Sequence, residues 1–140
     1  MGLRRQAREQ ALQILFQNDI LKSHAPSAPS VVEVPPDALP FVDQLVQGVR
    51  AHLEELDGLL GQSAEHWSLD RMAVVDRNVL RCALYELLYL DDIPAKVTIN
   101  EAIEIAKRYG SQESGAFVNG ILDRIVKSDA RLQSKRLATA

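Results

Sequence analysis

Residues Asp76 to Asp123 read DRNVLRCALYELLYLDDIPAKVTINEAIEIAKRYGSQESGAFVNGILD, and they decide the fold. Apolar residues recur there at steps of three and four, the period of a helix with one buried face, in three runs separated by two short breaks. The first run covers about Val74 to Leu90, with Val75, Val79, Leu80, Ala83, Leu84, Leu87 and Leu88 on a broad apolar face, and Asp91, Asp92 and Pro94 end it. Thr98 and Glu101 have the spacing of a capping box, which predicts that the second run starts there. That run carries Ala102, Ile103, Ala106 and Tyr109 and stops at Gly110, while Ser111 or Ser114 is expected to cap the third. The face of the third is Phe117, Val118, Ile121, Leu122 and Ile125.

Asn119-Gly120 inside the third run is also a strong hairpin signal. The flanking apolar residues repeat at three and four rather than two, so helix wins. A glycine inside a helix costs about 1 kcal/mol relative to alanine, which suggests close approach of a neighbouring helix or a ligand at Gly120.

Upstream, Ala7, Ala11, Ile14, Leu15 and Leu21 predict a helix from about Leu3 to Lys22, roughly 30 Å long. Residues 23–36 hold four of the chain's six prolines and read as a surface loop. Asp37 is a candidate N-cap for the next helix, with Pro40 tolerated in its first turn. Phe41, Leu45, Val46, Val49, Leu53, Leu56 and Leu60 then give one helix or a bent pair, weakened at Gly48 and Gly58 and stopped near Gly61. Residues 62–72, with Trp67, form a connector. The best strand candidate, Val31 to Val34, is short and bounded by prolines. These readings give an all-α fold of six or seven helices in one domain over residues 1–140, with a flexible tail from about 131.

Composition agrees. The chain has 140 residues, of which 46% are apolar and 25% charged, the balance of an ordinary globular domain. With three Phe, three Tyr and one Trp, the core must be mostly aliphatic. The single Cys82 sits in an apolar helical run and reads as a buried, inert thiol. No apolar run approaches the 18 residues of a membrane span and no signal-peptide core follows the N-terminus, so a cytoplasmic protein is expected.

Catalysis finds little support. His24, His52 and His66 have no Cys or acidic neighbour at metal-ligand spacing, so no metal or cofactor is expected. Glu101 and Glu104 are one turn apart and read as a solvated helix face. No phosphate-binding glycine loop or Gly-x-Ser-x-Gly is present, so the chain is not expected to be an enzyme.

The net charge of −3 argues against nonspecific nucleic-acid binding over the whole surface. Charge is unevenly spread, however. Arg4, Arg5 and Arg8 occupy the first eight residues without an acid, whereas the span from Glu33 to Glu65 is mostly acidic. Arg4 and Arg8 lie one helical turn apart with Arg5 beside them, so all three can meet one run of phosphates. The same spacing also allows Arg5 and Glu9 to form an ordinary exposed pair. The break at Tyr109, Gly110, Ser111, Gln112, Glu113 and Ser114 offers a helix N-terminus to phosphate oxygens, with Lys107 and Arg108 adding charge. Tyr109 and Phe117 could stack on unpaired bases, although Phe117 at helical period reads first as core. Arg77, Arg81 and Tyr85 form an i, i+4, i+8 stripe beside Glu86, which by spacing alone is a solvated flank.

The pieces LRCALYEL, INEAIEIAK and FVNGILD, with the arginine-rich N-terminus, resemble the NusB family of bacterial transcription antitermination factors over nearly the whole chain. The resemblance implies two small helical bundles packed together. It implies binding to boxA RNA as a heterodimer with ribosomal protein NusE, in a complex with other Nus factors on RNA polymerase. The family's arginine motif falls on Arg4, Arg5 and Arg8. Its helix-break and FVNG motifs fall on Tyr109 to Ser114, Phe117 and Asn119, which, with Lys107, would form the RNA surface. Its LYEL motif falls on Leu84 to Leu87, so Tyr85 and Glu86, with Arg77 and Arg81 nearby, would face NusE. Many relatives carry a basic residue where this chain has Ala116, and Gln6 interrupts the arginine cluster, so weak binding to RNA alone is expected. Two alternatives remain: an RNA-binding appendage like that of certain ribosomal RNA cytosine methyltransferases, disfavoured because no methyl-donor module follows Ala140, and a helical adaptor that binds only protein. A homodimer covering the partner face is also compatible with the sequence.

Overall fold

The computed structural model describes residues 2–21, 34–64, 68–132 and 135. Among them six α-helices follow in order: α1 (Leu3–Leu21), α2 (Leu39–Ala51), α3 (Leu53–Ser63), α4 (Val74–Tyr89), α5 (Ala95–Tyr109) and α6 (Ser114–Ser128). Single 3-10 turns lie at Pro36–Ala38, Leu69–Arg71 and Ala130–Leu132, and no strand occurs among the described residues. Most of the proline-rich loop, Val31 to Glu33 of the strand candidate, Trp67 and most of the tail lie outside the described residues. Leu132 is nonetheless buried, and Lys135 Nζ donates to the carbonyls of Glu86 and Leu90 at 3.0 and 2.8 Å, so these two positions of the expected tail are seated on the end of α4.

Helix α4 is the hub. It packs against α1, α2, α3, α5 and α6, so the α1–α2 pair and the group formed by α3, α5 and α6 are joined through one central helix. Leu80, Leu84 and Leu87 are fully enclosed there, together with Leu45, Leu56, Leu60, Ile121, Leu122 and Ile125. Burying an aliphatic side chain of this size stabilises the fold by roughly 1.5–3 kcal/mol. No helix among the described residues is long and apolar enough to cross a membrane.

Several element boundaries differ from expectation. Asp37 does not cap α2; it lies within the 3-10 turn, and Ala38 precedes the helix, with Pro40 in its first turn. The chain breaks between α2 and α3 at His52 (φ −118°, ψ 19°) rather than at Gly48 or Gly58. Gly48 instead accepts the Tyr85 ring so closely that a Cβ there would lie 2.1 Å from it. Helix α3 runs past Gly61 to Ser63. Thr98 and Glu101 form no capping box, because α5 starts three residues earlier, after Pro94, whose carbonyl accepts the Thr98 N–H. Neither serine caps α6 from outside: Glu113 precedes it, and Ser114, its first residue, accepts the Ser111 N–H through its hydroxyl at 2.9 Å. Gly120 lies within α6 as expected, but among the described residues no neighbouring helix approaches it; a Cβ there would meet only the Arg124 side chain, at 3.9 Å.

Candidate nucleic-acid interface

The first turns of α1 lie across α4 and α5, and the three N-terminal arginines have different fates there. Arg8 is buried. Its Nε and Nη2 donate to the two Glu86 carboxylate oxygens, each at 2.8 Å, and its Nη1 reaches Glu101 at 3.3 Å. Thr98 donates its hydroxyl to the same Glu86 at 3.1 Å. Arg5 is partly covered and bound by Glu101 through its Nη2. That hydrogen bond holds the Glu101 carboxyl below its ordinary pKa and raises that of Arg5. Arg4 is the exposed member, with its side chain 52% accessible, a long contact of 3.4 Å to Asp92, and its guanidinium 5.0 Å from the Phe41 ring centre.

The exposed Arg5–Glu9 pair that the spacing also allowed does not form; Arg5 binds Glu101 instead. Glu9 turns toward the end of α5, where its carboxylate accepts from Arg108 Nη1 and from the Tyr109 hydroxyl, both at 3.0 Å. Burial and this hydrogen bond raise the Tyr109 pKa. One buried acid next to Arg8 therefore ties the arginine turn to the α5–α6 junction, and the two regions share one side of the molecule. Lys107, Tyr109, Gly110, Glu113 and Asn119 are exposed there. Ser114 is buried and Phe117 half-buried against the core, which is the packing role its period suggested. Glu9 and Glu101 were not among the expected site residues, and Arg108 was read only as added charge beside the helix break. Glu101 lay hidden behind the reading of a solvated face, and a contact ninety-six residues away from Arg5 leaves no local signal.

The stripe on α4 is corrected by the structure. Arg77 and Arg81 are buried, because α1 and α3 cover that flank. Arg77 Nε donates to Asp19 at 2.8 Å and Arg77 Nη1 to the Leu69 carbonyl at 2.7 Å. Arg81 binds both Asp57 oxygens at 2.8 and 2.9 Å and Asp19 at 3.1 Å. Glu86 is 2% exposed and holds Arg8, so it cannot face a partner in this conformation. Of the four residues, only Tyr85 reaches the surface, as one ring of a stack with His52 and Tyr89 whose centroids are 6.1 and 5.4 Å from it. Among the described residues no cluster of His, Cys, Asp and Glu could hold a metal ion.

A family model described as the NusB family matches residues 5–127. The chain belongs to the NusB family. It is 53% identical over 131 residues to a transcription antitermination protein NusB of Desulfitobacterium hafniense, covering 89% of this chain and 88% of that protein. The Myxococcus xanthus protein of the same name is 47% identical over 133 residues, covering 89% and 95%. Among solved structures, T. maritima NusB superposes with a TM-score of 0.82 at 41% identity over 96% of each chain. A complex of the antitermination factors NusB and NusE with dsRNA gives a TM-score of 0.76 at 28% identity, covering 91% of this chain and 98% of that one. In the LYEL segment of α4, Leu84, Glu86 and Leu87 are buried and Tyr85 is half-buried.

Proposed function

We propose that this chain is a cytoplasmic transcription antitermination factor that binds boxA RNA together with NusE and, through other Nus factors, acts on RNA polymerase in ribosomal RNA operons. The observation that carries the RNA reading is the Glu9 bridge, which brings the arginine turn and the α5–α6 junction onto one face. Arg4, Lys107 and Arg108, whose side chains are 52%, 61% and 53% accessible, are the cations that would meet phosphates first. Tyr109 is the ring placed to stack on a base, and Gly110, Glu113 and Asn119 border it. Arg8, Ser114 and Phe117 serve this surface from beneath, by fixing the turn and the junction. The structural relative solved with NusE and dsRNA supports the reading that RNA and NusE are the partners.

Tyr85 is the member of the LYEL motif available to NusE, while Arg77, Arg81 and Glu86 shape that face from inside. The test is an electrophoretic shift of boxA RNA with and without NusE across a salt series. Weak binding by the chain alone, tighter binding with NusE and a steep loss with salt are the expected results. No shift in either condition would overturn the reading.

A further inference from the structure

The basic turn that this reading assigns to RNA is already occupied by the protein's own acids. Glu101 binds Arg5 and touches Arg8, Glu86 holds Arg8 at both oxygens, Glu9 holds Arg108, and Asp92 lies 3.4 Å from Arg4. These contacts differ in accessibility. Glu86 is enclosed, with its side chain 2% accessible, and its pair with Arg8 is architectural. The Arg5–Glu101 pair is not enclosed: the side chains are 23% and 22% accessible, so the pair can open toward solvent without unpacking the core. Arg5 is also poorly satisfied where it lies, because its Nε is buried with no hydrogen-bond partner. A buried donor without an acceptor favours any rotamer that frees it.

We propose that Glu101 is an intramolecular stand-in for an RNA phosphate, which keeps Arg5 docked on α5 until a phosphate takes its place, and so sets the affinity of this face for single-stranded RNA. The inference rests on the RNA reading above. A carboxylate and a phosphate oxygen offer the same geometry to a guanidinium fork, so one can replace the other without a new backbone conformation. Displacing Glu101 leaves it near Arg8, which still has both oxygens of Glu86. Binding then yields one fewer net new ion pair than the count of arginines suggests, and the loss with salt, though steep, is less steep by that one pair.

The test is Glu101→Gln, measured with NusE on single-stranded boxA RNA over a salt series, with the thermal midpoint recorded to show the fold intact. Its expected outcome is RNA binding about three- to tenfold tighter than the native chain. The slope of log affinity against log salt should steepen by about 0.7, the counterion release of one phosphate contact on a single strand that is no longer offset by the loss of the Arg5–Glu101 pair. In the double variant Arg5→Gln, Glu101→Gln both gains should vanish. Unchanged or weaker binding by a folded Glu101→Gln overturns the proposal, and so does a gain that survives in the double variant, which would be a long-range charge effect. Should Glu101→Gln not fold, Arg5→Gln alone decides: it should weaken binding less than Arg4→Gln, and an equal or greater loss overturns the clamp. If the native chain fails to bind RNA even with NusE, the functional reading itself falls, an outcome separate from the others.

Discussion

Glu86 shows how a single residue can look like surface in sequence and be core in space. It accepts two hydrogen bonds from Arg8 and one from Thr98 while 2% exposed. Removing one partner of a buried pair strands the other charge, which costs about 3–5 kcal/mol. Glu86→Ala should therefore lose stability on that scale in urea unfolding. Replacing Glu86 and Arg8 together by Met should recover much of the loss, because no charge is left without a partner. Cys82 offers a second check. Burial pushes its thiol up to about 12. The native protein at pH 8 should react with a thiol reagent only at the rate of unfolding, and a fast native reaction would contradict its burial.

At the scale of elements, α2 and α4 meet through Gly48 and Tyr85, and the contact leaves no room for a side chain at 48. Gly48→Ala should destabilise the protein by about 1–3 kcal/mol, as overpacking does, despite alanine's better helix propensity. A rise in thermal midpoint would show that the Tyr85 ring moves aside freely. Helices α1 and α5 are joined by polar contacts as well, through Arg5 and Arg8 to Glu101 and through Glu9 to Arg108 and Tyr109. Glu9→Gln keeps the side chain's shape but removes the charge that Arg108 meets. It should leave most of the helical signal in place while loosening the α5–α6 junction, seen as faster amide exchange from Tyr109 to Ser114.

For the molecule as a whole, the buried ion pairs make stability depend on pH. Burial of Asp19 opposes its ionisation, but hydrogen bonds from Arg77 and Asn78, with the charge of Arg81, outweigh it and hold the carboxyl below its usual range. The hydrogen bond from Arg5 does the same for Glu101. A carboxyl with a depressed folded-state pKa contributes stability that is fully present above its unfolded value, about 4, and is lost as pH falls through the folded value. Urea midpoints should be flat from neutral pH down to about 5 and fall steeply below 4. Arg77→Met with Asp19→Leu should make that fall shallower. A midpoint insensitive to acid would mean these pairs contribute nothing.

The helices and the family were legible in the residues alone, because helical period is a local property and because motifs such as LYEL and FVNG sit at fixed spacing along the chain. The sequence also marked Cys82 as inert, since Cys82 follows Val75 and Val79 at steps of seven and three and so falls on the apolar face of its run. Which arginine is buried depends on the packing, since Arg4, Arg5 and Arg8 share one pattern and differ only in what α4, α5 and the turn between them place opposite each. The same holds for Arg77 and Arg81, whose partners Asp19 and Asp57 come from α1 and α3. Each of these ion pairs joins positions far apart in the chain, and a helical period, which relates residues three and four apart, carries no trace of them.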